Sequence, residues 1–117
     1  MSMNNRQTPR FSDFARAKMN GSCQLPGYLE DVSKSGCKVR FSHTFEVDTD
    51  REYSLTILPA LRSGIREFEI TVRPEWVSSD EDSMYIGFCI LRSPGICDLY
   101  KYVQILEHLN IEELQEA

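Results

Sequence analysis

Apolar residues recur at every second position along most of this chain, and that alternation restricts its fold more than any other feature. In REFEITV, Phe68, Ile70 and Val72 alternate with Glu67, Glu69 and Thr71, as in a strand with one buried and one wet face. EYSLTI repeats the pattern with Tyr53, Leu55 and Ile57, and GCKVRF with Cys37, Val39 and Phe41 inward and Lys38 and Arg40 outward. FARAKM reads as a strand with small inward residues, Ala15 and Ala17. MYIGFCI is apolar on both faces, as a more enclosed strand is, and YLEDVS is a short strand that runs into the turn SKSG. Turn residues separate them at Asn20-Gly21, Pro26-Gly27, Ser35-Gly36, Ser63-Gly64 and the acidic stretch 78–83. Short strands at this spacing imply a barrel or sandwich.

The period changes after Pro94-Gly95. Leu99, Tyr102, Val103, Leu106 and Leu109 fall at helical spacing, which predicts a helix over 96–110 with Asp98 as N-cap and Asn110 as stop. That helix is expected to pack over an opening of the barrel or against a partner. Residues 1–12 show no periodicity and are expected to be a mobile arm on a single domain, 13–117. The 117 residues suit one domain. No apolar run nears the ~18–20 residues of a membrane span and no signal peptide is readable, so the expected setting is the cytoplasm.

Residues 1–40 carry seven cations and three anions, a balance of +4, whereas 41–117 carry six cations and fifteen anions, a balance of −9. An acidic chain with a basic first third lacks the extended basic face that a nucleic acid polymer needs, but it suits a compact anion held locally. Cys23, Cys37, Cys89 and Cys97 form no C-x-x-C pair and lie far in sequence from His43 and His108, so reduced thiols are expected rather than a metal site. There is no H-E-x-x-H, G-x-S-x-G or phosphate-binding G-x-x-x-x-G-K-[ST] pattern, and the chain reads as no enzyme. Trp76 and the other aromatics read mainly as core.

Two short patterns carry candidate chemistry. Arg6-Gln-Thr-Pro-Arg10 puts two arginines in the arm, and Pro9 disfavours helix at Thr8. Asp31-Val-Ser33-Lys-Ser-Gly36 ends a strand; alternation puts Asp31 and Ser33 on one face, and Gly36 offers the positive-φ freedom of a tight turn. Arginine forks match phosphate oxygens and the guanine O6/N7 edge, a carboxylate accepts from guanine N1 and N2, and a hydroxyl or turn amide donates to phosphate. An anionic guanine nucleotide suits all of these. Singly, the same residues also read as solvated tail arginines, a turn-capping Asp31 and ordinary turn serines.

In order, RQTPR as R-x-x-x-R and DVSKSG as [D/N]-x-S-x-x-G resemble the paired signature of PilZ domains, bacterial receptors for cyclic di-GMP. The resemblance covers nearly the whole chain. It implies a six-stranded antiparallel β-barrel with a C-terminal helix, and it places cyclic di-GMP binding on Arg6, Arg10, Asp31, Ser33 and Gly36. The arginines would clamp the phosphates and meet guanine, with Asp31 and Ser33 on the other side. Many members carry one more arginine before the first motif, where this chain has Asn5, which bears on ligand stoichiometry. The implied function is a receptor or adaptor without cofactor that changes conformation and signals to a downstream protein in motility, biofilm or exopolysaccharide control. The alternative is a PilZ-like protein-interaction module in pilus or motility assembly that binds no nucleotide.

Overall fold

A computed structural model describes residues 11–21 and 25–116, the last seven of these as backbone. Six strands form a closed barrel: β1 (Ala15–Met19), β2 (Gly27–Val32), β3 (Gly36–Phe41), β4 (Tyr53–Leu58), β5 (Phe68–Ser79) and β6 (Met84–Leu91). Their order around the barrel is β1-β2-β3-β6-β5-β4, with β4 returning to β1, and every pairing is antiparallel. Closure leaves no open sheet edge to template aggregation.

The alternation seen in the sequence becomes the wall of this barrel. Ala15, Ala17 and Met19 of β1, Tyr53, Leu55 and Ile57 of β4, and Phe68, Ile70 and Val72 of β5 all face inward and are buried. Residues between them face solvent or the outer grooves. The expected turn at Asn20-Gly21 is present, with Gly21 at φ 83°.

Among the described residues one α-helix, α1 (Ile96–Glu116), follows β6. Leu99, Tyr102, Val103 and Leu106 join the same core as the barrel interior, and the Tyr102 ring meets Phe68 edge-on at 5.8 Å. The helix differs from its sequence expectation at both ends. It starts two residues before Asp98, because the turn at Ser93–Gly95 passes directly into it: the Gly95 carbonyl accepts from the Leu99 amide at 3.0 Å. Asp98 instead lies in the first turn, where its charge complements the helix dipole. At the other end the helix continues through Asn110 to Glu116. An interior asparagine costs only a fraction of a kcal/mol, about 0.7 at most, and no Gly or Pro follows to stop the helix.

Among the described residues no helix is long and apolar enough to cross a membrane, and no cluster of His, Cys, Asp or Glu could hold a metal ion. Cys37 is buried, Cys89 half-buried and Cys97 exposed, all as free thiols. Cys23 lies outside the described residues.

Candidate functional site

The motif Asp31–Gly36 spans the end of β2, a three-residue turn and the first residue of β3. Ser33 closes this turn. Its amide donates to the Gly36 carbonyl at 2.8 Å, while its hydroxyl accepts from the Ser35 and Gly36 amides at 3.2 and 3.1 Å. The hydroxyl also reaches the Gly36 carbonyl at 3.2 Å, and Ser33 is 0 % exposed. Two sequence expectations are corrected here. Ser33 does not share an outer face with Asp31, and its hydroxyl is occupied inside the turn. Gly36 is not a positive-φ residue; those are Gly21 and Gly64. Because the Ser33 side chain closes the loop, Gly36 can begin β3 in extended form.

Just before this turn, β2 carries a bulge. Between Leu29 and Asp31 the β2–β3 register shifts, so Leu29 faces Val39 while Asp31 faces Lys38. Glu30 is the extra residue, and the strand's in–out phase slips there. Leu29 and Val32 are buried, whereas Glu30 and Asp31 both reach the outer surface. A second bulge, between Pro74 and Trp76, acts on β5 in the same way. By simple alternation Trp76 would follow Phe68, Ile70, Val72 and Pro74 into the core. The extra Glu75 turns it outward instead, 44 % exposed, which corrects its reading as core.

Together the two bulges align one lateral row across four strands. Asp31 faces Lys38, Lys38 faces Gly87, and Gly87 faces Trp76. Gly87 is where the row dips, since a Cβ there would stand 2.1 Å from Trp76 Nε1. The indole thus lies directly over bare backbone. The resulting hollow of ≈ 190 Å³ is lined by Asp31, Lys38, Glu75 and Trp76, among others. Next to this row, Gly36 faces Cys89 and Cys89 faces Arg73, an exposed cation whose position no motif signalled.

A wider cleft of ≈ 570 Å³ shares Asp31 and Lys38 with the hollow and extends over β1 and β2. Its cations are already engaged. The Arg16 and Arg40 guanidiniums sit 5.3 and 4.7 Å from the centre of the Tyr28 ring. Glu30 accepts from Arg40 Nε at 3.1 Å and pairs with Lys38 at 3.6 Å.

Arg6 and Arg10 lie outside the described residues. The residues that follow them are well placed, however. Phe11 and Val32 exchange both backbone hydrogen bonds, each at 2.9 Å. Val32 is the residue between Asp31 and Ser33, so the end of the first motif's segment is stitched to the middle of the second motif. The Ser12 hydroxyl donates to the Glu30 carbonyl at 3.1 Å. The last two residues of the expected mobile arm are therefore fixed to β2.

Asp13 anchors the same segment from the other side. Its side chain is fully withdrawn from solvent. It accepts from the Tyr102 hydroxyl at 2.6 Å, from Arg62 Nε at 3.0 Å and from the Ala60 amide at 3.2 Å. Burial would raise this carboxyl, but the hydrogen bonds from Tyr102, Ala60, Arg62 and the Phe14 amide outweigh it and hold its pKa below the ordinary carboxylate value. Burial, and then the bond to Asp13, push the Tyr102 phenol far above its ordinary range. Nothing in the alternation signalled Asp13, because its partners come from distant parts of the chain.

The family model described as "PilZ domain" matches residues 4–103. No curated protein matches the sequence. Three solved structures are similar. The Bacillus subtilis Inhibitor of motility (MotI/DgrA) superposes with TM-score 0.73 at 14% identity, over 94% of this chain and 53% of its own. The PilZ domain with c-di-GMP of YcgR from Escherichia coli gives 0.72 at 16%, over 97% of this chain and 100% of its own. The K. pneumonia MrkH-c-di-GMP complex gives 0.71 at 18%, over 98% of this chain and 57% of its own. These likenesses show a shared fold, and the chain spans little more than half the length of the first and third.

Proposed function

Because the chain belongs to the PilZ domain family, we propose that it is a receptor for cyclic di-GMP, which occupies the outer hollow at Asp31, Lys38 and Trp76 and is also gripped by Arg6 and Arg10. The observation that carries this reading is the Phe11–Val32 bridge. A pair of backbone hydrogen bonds joins the residue that follows the first motif to the second residue of the second.

The chemistry of each position follows. Arg6 and Arg10 neutralise the two phosphates with charge-assisted, bidentate hydrogen bonds. Asp31 accepts from the N1 and N2 donors of guanine. Ser33 acts indirectly: it holds the turn so that Gly36 enters β3 and the Lys34 and Ser35 side chains stay outside. Trp76 presents a half-exposed indole to a base, and such stacking contributes about 1–3 kcal/mol per base. A few charge-assisted bonds at ~1.5–3 kcal/mol each, added to stacking, exceed the roughly −8 kcal/mol of micromolar binding before ordering costs.

The reading is non-catalytic. Asp13 and Tyr102, two described groups with clearly shifted pKa values, bond each other and do not line the hollow. The output in this reading is conformational: seating residues 1–10 over the hollow forms a new surface for a downstream protein. Two of the similar structures are described as holding c-di-GMP and the third as an inhibitor of motility, which supports a role in motility control. Calorimetric titration with cyclic di-GMP tests the reading. Wild-type protein is expected to bind at micromolar ligand, with Arg10→Ala and Asp31→Ala each at least about tenfold weaker, the loss of one charge-assisted bond. No heat of binding at tens of micromolar ligand overturns it.

A further inference from the structure

We propose that the outer face of β1 and β2 is a docking surface for an acidic segment of another protein. The segment sets an apolar side chain against Phe14 and Tyr28 and its carboxylates against Arg16 and Arg40. The proposal stands apart from the nucleotide reading, because these four residues line the wide cleft and not the hollow.

Phe14 is 89% exposed although its backbone is fixed. The Asp13 carboxylate before it is withdrawn from solvent and accepts from Tyr102, Arg62 and Ala60. The Phe14 amide donates to that carboxylate too, and Ala15 after it is buried in the barrel. The ring thus stands in water at a place from which the chain cannot withdraw it. Leu61 is fully exposed, and both its chain neighbours, Ala60 and Arg62, bond the same carboxylate. Tyr28, opposite Arg16 in the β1–β2 ladder, is half-exposed. Single exposed apolar side chains are ordinary, but several gathered around one anchored group and rimmed by charge mark an interaction site. Aromatic and arginine side chains are the ones that most often dominate binding at such a site.

The charge of the face selects the partner. Outward positions hold Arg16, Lys18, Lys38 and Arg40 against Glu30 and Asp31, on a chain whose balance is −5. Glu30 is shared between Lys38 and Arg40. The Arg16 and Arg40 guanidiniums flank the Tyr28 ring from the two neighbouring strands. That stacking takes up the ring faces a nucleobase would need and leaves guanidinium edges outward. Of the five donors on each guanidinium, Arg16 gives one to the Pro26 carbonyl at 3.4 Å and Arg40 gives one to Glu30. Carboxylates match the remaining edges. A second copy in two-fold contact would set the same cations against one another, so a different, acidic chain is the better complement.

Fluorescence anisotropy with the full chain tests this. The probe is a short labelled peptide of Glu and Asp around a central Leu-Phe pair, and its control carries Lys in place of every acid. Wild type is expected to bind the acidic peptide with Kd below about 1 mM, and the lysine peptide at least about tenfold more weakly. Phe14→Ser and Arg16→Glu alter exposed side chains, so both should keep the wild-type urea midpoint. Each should bind the acidic peptide at least about tenfold more weakly, the loss of one anchor. Val77→Ser, which removes an exposed apolar side chain outside the cleft, should bind like wild type. No anisotropy change at about 1 mM protein, equal binding of the lysine peptide, or Phe14→Ser or Val77→Ser contrary to these expectations overturns the proposal. So does a sedimenting dimer, or adsorption to phosphatidylglycerol vesicles, that Phe14→Ser and Arg16→Glu both abolish, because the face would then belong to a second copy or to a membrane.

Discussion

Replacing Asp13 by alanine strands two donors that no water can easily reach. The Tyr102 hydroxyl belongs to a residue that is 0 % exposed, and the Ala60 amide lies in a half-buried loop. An unsatisfied buried donor costs about 1–3 kcal/mol, so the pair costs about 2–5 kcal/mol after partial relaxation. Arg62 adds little, because its side chain is 36% exposed and regains water when its partner is lost. A domain of this size holds roughly 5–15 kcal/mol in all, and each kcal/mol moves the midpoint by about 4 °C, so the variant should melt some 8–20 °C below wild type. Urea unfolding at pH 7 reads the free energy directly. Tyr102→Phe, which keeps the Ala60, Arg62 and Phe14 donors to Asp13, should cost only about 1–2 kcal/mol. The double variant should cost less than the two losses added together, because both remove one contact. An Asp13→Ala loss under about 1 kcal/mol would refute the argument, since it would mean the carboxylate satisfies nothing that water cannot.

The same carboxylate gives a pH signature. Its folded pKa lies below the ordinary 3.8, so its stabilisation is complete above that value. As pH falls below 3.8 the unfolded chain takes up the proton first, and the contribution drains away until the folded pKa is passed. Wild type should lose stability through that window, and Asp13→Asn should lose less over the same range.

Other variants probe the site and its frame. Trp76→Ala should weaken cyclic di-GMP by about 5- to 150-fold, the range of one stacked base, with little change in urea midpoint because the indole is half-exposed; equal affinities would remove Trp76 from the site. Ser33→Ala should cost about 1–3 kcal/mol of stability, by unpairing the turn amides of Ser35 and Gly36, and should weaken the ligand in parallel in the calorimeter. Gly95→Ala would place a Cβ 1.8 Å from the Glu69 carbonyl oxygen, so the helix start must move off β5; a loss of at least about 2 kcal/mol in urea is expected, in the upper part of the usual range for single substitutions.

The barrel was legible because its evidence is local. Alternation in REFEITV, EYSLTI and GCKVRF names the inward side chains directly, since a strand has period two whatever it pairs with. The helix was legible through its Leu99, Tyr102, Val103 and Leu106 spacing, although not its ends, because a preceding turn can start a helix earlier than a cap residue suggests. The two short motifs were legible as residue types in order. The facing of Ser33 and Trp76 was not. Ser33 lies past the end of β2, where its hydroxyl is taken up by the turn amides; Trp76 lies just past the bulge at Glu75, and a bulge is a property of two strands at once: it exists only where one ladder carries an extra residue against its neighbour. Sequence alone thus settled which strands form and which faces are apolar. Tertiary structure alone decided that Asp31, Lys38, Gly87 and Trp76 stand in one row and that Asp13 finds Tyr102, eighty-nine positions away, because register and long-range hydrogen bonds depend on where the partner lies in space and leave no periodic trace along the chain.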